Sequence, residues 1–135
     1  MGKLTGKVVL ITGASRGIGS AIAKTLGQEG ASLILTARNR GALEQAAART
    51  PGAVMSLAVD VTKPGEVTRL FAAVKRRMGR LDILINNAGV FTFKPFAKTT
   101  LPDWRRNLET NLTSILLGAA PREAPWHEIG ISGTQ

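Results

Sequence analysis

Three glycines carry the clearest chemistry in this chain of 135 residues. Gly13, Gly17 and Gly19 stand in the stretch Thr12-Gly13-Ala14-Ser15-Arg16-Gly17-Ile18-Gly19, directly after the apolar run Val8-Val9-Leu10-Ile11. Each has a separate task. Gly13 permits a turn conformation that a Cβ penalises. Gly17 lets a ligand phosphate approach the backbone, and Gly19 lets a helix press against its strand. The free N–H groups at the start of that helix, together with its positive end, favour an anionic group. Three glycines alone are a weak signal. Their place after a strand and before a helix is what makes them read as a phosphate cradle.

That cradle has to be positioned by elements the sequence also specifies. The run from Val8 to Thr12 reads as a buried parallel strand. Ile18, Ile22 and Leu26 recur at helical spacing through roughly 17–29, with Gly30 as the stop. Ser32 to Thr36 reads as a second strand, and the three together make a βαβ unit. A helix over roughly 41–49 is halted by Pro51-Gly52, and Val54 to Val59 is a third strand ending at Asp60-Val61. From Pro64, the residues Val67, Leu70, Phe71, Val74 and Met78 form one apolar stripe that faces a core, closed by Gly79. Asp82 to Asn86 is a fourth strand, apolar on both faces as a strand inside a parallel sheet must be.

The fourth strand runs into Asn86-Asn87-Ala88-Gly89. A loop with Pro95 follows, then a helix starting near Pro102-Asp103 that carries Trp104, Leu108, Asn111, Leu112, Ile115 and Leu116. Beyond Leu117 the pattern stops. Pro121 and Pro125 preclude an uninterrupted helix, and 118–135 reads as an irregular tail. Strands alternating with helices predict an α/β fold, a doubly wound parallel sheet over 1–117 cut off after about four strands.

Composition narrows the classes. Hydrophobic residues make up 44%, so the chain has a core to build. No apolar run is long enough to cross a bilayer, and Met1-Gly2-Lys3-Leu4 lacks the apolar segment of a secretory signal. With no cysteine and a single His127, neither a disulfide nor a thiol or histidine metal site is expected, so no metal is assigned. A cytoplasmic protein is the expectation. The formal charge of +9 invites a nucleic-acid reading, but the densest basic group, Lys75-Arg76-Arg77 with Arg80, sits at a helix end, where cations complement the dipole. With 4% aromatic residues and no basic groove, nucleic acid is disfavoured as a partner.

Taken jointly, these segments resemble the short-chain dehydrogenase/reductase family. Thr12 to Gly19 matches its Thr-Gly-x-x-x-Gly-x-Gly turn, Asp60-Val61 follows the third strand, Asn86-Asn87-Ala88-Gly89 follows the fourth, and Asn111 falls in the next helix. The resemblance covers about Lys3 to Leu117 and implies a Rossmann-type sheet. It also implies roles. Gly13, Ser15, Arg16, Gly17, Ile18 and Gly19 would cradle the pyrophosphate and adenosine ribose. Asp60 and Val61 would hold the adenine edge. Asn87, Ala88 and Gly89 would line the cleft, with Thr12 tying the first turn to that segment.

The second strand bears on the cofactor. NAD binding usually places a carboxylate about twenty residues beyond the glycines, to accept the ribose hydroxyls. Here the strand ends Thr36-Ala37-Arg38-Asn39, with no acid. Arg38 and Arg16 suit a 2′-phosphate instead, through charge-assisted hydrogen bonds. NADP is therefore expected over NAD.

The resemblance also implies a Tyr-x-x-x-Lys pair and an upstream serine, the groups that move the proton and orient the carbonyl or alcohol substrate. The chain contains no tyrosine, no lysine follows Lys98, and Ser114 and Ser132 lie in the wrong setting. Asn111 is the one member of that catalytic group present, and is expected to be structural. The pattern suggests a gene fragment or a reading-frame break near Leu117. The expected function is an oxidoreductase by ancestry that keeps cofactor binding and lacks turnover. The alternative is a non-catalytic dinucleotide-binding or self-associating module. In that reading Ile83 to Ile85 lie on an uncovered sheet edge and pair with a second copy or with a complementing fragment.

Overall fold

The computed structural model of the chain describes residues 2–88, 98, 100–108 and 127–130. Its elements run β1 (Val8–Thr12), α1 (Gly17–Gln28), β2 (Ser32–Ala37), α2 (Arg40–Ala48), β3 (Ala53–Ala58), α3 (Pro64–Met78), β4 (Ile83–Asn86), α4 (Leu101–Leu108) and β5 (His127–Gly130). From β1 to β4 the elements follow the bounds read from the sequence to within about a residue at either end, inside the ordinary uncertainty of element ends.

The strands form one sheet in the order β3-β2-β1-β4-β5, with every neighbouring pair parallel. Alternation along β1 explains how both faces are covered. Val9 and Ile11 point with Leu33, Leu35 and Ile85 into one core, which Ala23 of α1 and Leu43 of α2 close. Val8 and Leu10 point with Ile34 and Leu84 into the other, closed by Leu70 and Val74 of α3. Helices on both faces leave no solvated side to the central strands. That is why β1 is buried at all five positions, and why it reads as a continuous apolar run. Each such aliphatic side chain contributes about 1.5–3 kcal/mol on full burial.

The stripe on α3 behaves as its spacing requires. Val67, Leu70 and Val74 are buried, and Phe71 and Met78 pack at the margin. Gly79 ends the helix in the left-handed conformation, φ 71°. Lys75, Arg76 and Arg77 occupy its last turn and Glu66 its first, so both ends oppose the dipole. α4 starts at a reciprocal cap. The Asp103 N–H donates to Thr100 Oγ1 at 3.3 Å, and the Thr100 N–H donates to Asp103 Oδ2 at 3.0 Å.

Two expectations are corrected. The segment 118–135 is not irregular throughout, because His127–Gly130 forms β5; the rest of it lies outside the described residues. Nor is β4 an open edge, because Ile83 pairs with His127 and Asn86 with Gly130. The physical reason is that β5 is held by ladder hydrogen bonds to a formed neighbour. A four-residue strand needs no apolar alternation of its own when its backbone groups are satisfied that way.

Candidate functional site

In the order β3-β2-β1-β4-β5 the chain leaves β1 toward β2 on one side and returns beside it as β4 on the other. A crevice opens at such a switch point, beyond the carboxyl ends of β1 and β4. Thr12 ends β1 there, and Asn86, Asn87 and Ala88 leave β4. The buried Thr12 hydroxyl holds the two together. Its Oγ1 accepts the N–H groups of Asn87 at 2.9 Å and Ala88 at 3.0 Å, and donates to the Ile85 carbonyl at 3.4 Å. Asn87 Nδ2 donates to the Gly13 carbonyl at 3.2 Å, a second tie between the two strand ends. Asn86 is buried.

The turn from β1 into α1 lies against this tie. Gly13 has φ +64°, and a Cβ there would sit 2.9 Å from the Ala88 Cα. At Gly19 a Cβ would collide with the Gly13 carbonyl and Asn87 Nδ2, so only glycine lets α1 start this close to the crevice. Gly17 is different. Its φ is +57° and its missing Cβ would meet nothing within 4 Å, so the first turn of α1 is open from outside. Arg16 precedes it in extended conformation and makes no side-chain cap. Among the described residues no side chain caps the start of the helix, whose opening N–H groups suit a ligand or water. Ser15 is half-buried, Arg16 exposed, and Ile18 is exposed at 37% for so apolar a residue.

The neighbouring strand ends supply charge. Thr12 pairs with Thr36 across β1 and β2, so Arg38 emerges at the same edge as the glycine turn and is exposed. The Val59 N–H donates to the Ala37 carbonyl at 3.0 Å, which brings Asp60 alongside. Asp60 Oδ1 accepts both the N–H of Thr62 at 3.0 Å and its hydroxyl at 2.6 Å. Burial works against the Asp60 charge. The Thr62 hydrogen bonds, with the cations Arg38 and Lys63, outweigh it and hold the carboxyl below the usual aspartate value. Val61 is buried in the core face next to it.

The family model described as short chain dehydrogenase matches residues 7–121. The chain belongs to the short chain dehydrogenase family. An uncharacterized oxidoreductase of Methylorubrum extorquens is 36% identical to it over 121 residues, covering 87% of this chain and 49% of the relative. A 3-oxoacyl-acyl-carrier-protein reductase of Vibrio cholerae is 38% identical over 112 residues, covering 83% of this chain and 46% of the relative. A crystal structure of a short chain dehydrogenase from Mycobacterium smegmatis superimposes with a TM-score of 0.80 at 34% identity, covering 87% of this chain and 50% of that one. The chain spans about half the length of the curated relatives it matches.

Short chain dehydrogenases bind nicotinamide dinucleotides, and the turn fits a diphosphate. At Gly17 the backbone is left-handed and no protein atom lies within 4 Å of where a Cβ would stand, so the start of α1 has room for an anionic group. Gly13 and Gly19 lie against Asn87 and Ala88, with Ser15, Arg16, Gly17 and Ile18 between them in the turn and the first residues of α1, while Arg38, Asp60 and Val61 follow the adjoining strand ends. Gly89 and Asn111 lie outside the described residues. Thr62 and Glu66 were missed in the sequence. Thr62 engages the Asp60 carboxylate, and Glu66 Oε1 accepts the Asp60 N–H at 3.2 Å. The signal for Thr62 was the Asp-x-Thr spacing, which favours a side chain bonding its own backbone two residues on. No helix among the described residues is long and apolar enough to cross a membrane.

Proposed function

We propose that this chain is the NADP-binding portion of a short-chain oxidoreductase whose longer relatives pass a hydride between nicotinamide and a carbonyl or alcohol. The observation that carries it is Gly17, left-handed and facing open space at the uncapped start of α1. The bound dinucleotide supplies the hydride at nicotinamide C4. The chain's own residues do the rest of the holding. The N–H groups of the turn from Gly13 to Gly19, with Ser15, receive the pyrophosphate, and Ile18 covers it. Arg38 and Arg16 flank the ribose 2′-phosphate. Asp60 and Val61 take the adenine edge, and Asn87, Ala88 and Gly89 line the nicotinamide side. Asn111 is assigned a structural role rather than a catalytic one.

No tyrosine occurs among the 135 residues, so this chain by itself holds cofactor without moving the substrate proton. A cytoplasmic setting belongs to the same reading, and so does a small carbonyl or alcohol as the substrate of the longer relatives. Calorimetric titration of the folded chain with NADPH and NADH tests it, with NADPH oxidation against ketones followed in the same samples. NADPH should bind about tenfold or more tighter than NADH, and Arg38→Gln should bring the two together. Tighter NADH binding, or a preference that Arg38→Gln leaves intact, ends the NADP assignment. Ketone-dependent oxidation by the pure chain ends the non-catalytic one.

A further inference from the structure

α3 opens Pro64-Gly65-Glu66 behind an extended Lys63, which puts Glu66 at the third helical position. A carboxylate there commonly turns back to the cap residue's own N–H. Glu66 reaches further, and its Oε1 accepts the N–H of Asp60 at 3.2 Å. Lys63 Nζ lies 3.8 Å from Oε2 and Arg69 Nη2 lies 3.7 Å from Oε1. Arg69 Nη2 also donates to the carbonyl of Ala58, the last residue of β3, at 3.4 Å. Glu66 thus joins the end of β3, Asp60 and the first turn of α3 into one cross-linked loop. Within that loop Thr62 donates twice to Asp60 Oδ1. Among the described residues the hydrogen bonds to this carboxylate all fall on Oδ1, which leaves Oδ2 as the acceptor for a ligand's donor.

We infer that Glu66 is a positioning residue that sets the preference of the site for adenine, by pinning the Asp60 backbone so that its carboxylate meets the exocyclic amine of the base. The inference rests on the proposed role of Asp60. Its chemistry is one of donors and acceptors. An ionised carboxylate only accepts, and adenine offers an N–H at C6. Hypoxanthine offers a carbonyl there, setting acceptor against acceptor. A fixed Asp60 rejects hypoxanthine; a loose one moves aside and tolerates it. Gln at position 66 keeps an oxygen that can accept the Asp60 N–H, and Ala does not.

The test uses the full chain, its Glu66→Ala and Glu66→Gln variants, and two probes: NADPH and its hypoxanthine analogue. The parent should favour NADPH. Glu66→Ala should shrink that preference by about threefold to tenfold, and Glu66→Gln should stay within about twofold of the parent. A Glu66→Ala chain with the parent's preference overturns the inference, and so does a Glu66→Gln chain that behaves like Glu66→Ala. A parent that binds neither probe sinks the cofactor reading instead. Amide exchange tests the pinning of Asp60 separately from the cofactor reading. The Asp60 N–H should exchange faster in Glu66→Ala than in the parent, with Glu66→Gln restoring protection, and equal rates in all three overturn it.

Discussion

At the scale of the residue, the crevice depends on the hydroxyl of Thr12. It is 4% exposed and is the acceptor for two backbone N–H groups that belong to another strand end. Val has nearly the same shape and no acceptor, so Thr12→Val leaves both N–H groups without a partner. Each orphaned group costs about 1–3 kcal/mol, and urea unfolding should show a loss of at least about 2 kcal/mol, restored by Thr12→Ser. A loss within the scatter of a surface substitution would show that the tie is dispensable. Thr12, Gly13, Gly17 and Gly19 were legible in the sequence because their types and spacing directly follow a strand and open a helix, although their partners Asn87 and Ala88 lie far along the chain. Glu66 was not. Its spacing from Pro64 marks a helix start, but that its carboxylate passes the cap and reaches Asp60 depends on how the β3–α3 loop folds back.

At the scale of the element, β1 and β4 are joined at both ends, and at the end away from the crevice the tie is made by a carboxylate. Asp82 lies just before β4, and its Oδ2 accepts the N–H of Val8, the first residue of β1, at 2.8 Å. The hydrogen bond from the Arg80 guanidinium holds the Asp82 carboxyl below the usual aspartate range; burial opposes this, and the Val8 N–H and Lys7 reinforce it. A carboxyl lowered in the fold adds stability that is complete above its ordinary value and is lost as pH falls through the lowered one. The melting temperature should therefore drop as pH falls below about 4. Asp82→Asn should lower it near neutral pH and flatten that acid slope, as followed by circular dichroism. An unchanged slope in the variant would put the acid sensitivity elsewhere, with Asp60 the next carboxyl to replace. The basic run Lys75-Arg76-Arg77 has its account at this scale too, as the last turn of α3.

At the scale of the whole molecule, the decisive feature is what lies beside β4. Without β5 the sheet would end in Ile83–Asn86, a strand with apolar residues and unpaired backbone groups of the kind that recruits another chain. With β5 paired along all four residues, that route to self-association is occupied, and the sheet edges become β3 and β5. At β3, Arg69 donates to the Ala58 carbonyl and places a charge at the strand's end, a familiar way to blunt an edge. Removing 126–135 should reopen β4, so the shortened chain should show a higher weight-average mass by light scattering than the parent at equal concentration. Equal masses for the two would mean that β5 does not protect the edge.

The order of strands and helices, the two-sided burial of the sheet and the glycine turn were all determined by the sequence alone. They announce themselves through residue types at short spacing: apolar periods of two or 3.6 residues, helix stops, and glycines between a strand and a helix. Tertiary structure alone decided the pairing of His127–Gly130 with β4 and the reach of Glu66 to Asp60. The first joins backbone groups far apart in the chain, and a backbone N–H or carbonyl carries no residue type by which a sequence could announce its partner. The second depends on how the loop between β3 and α3 brings the Asp60 N–H back to the Glu66 carboxylate.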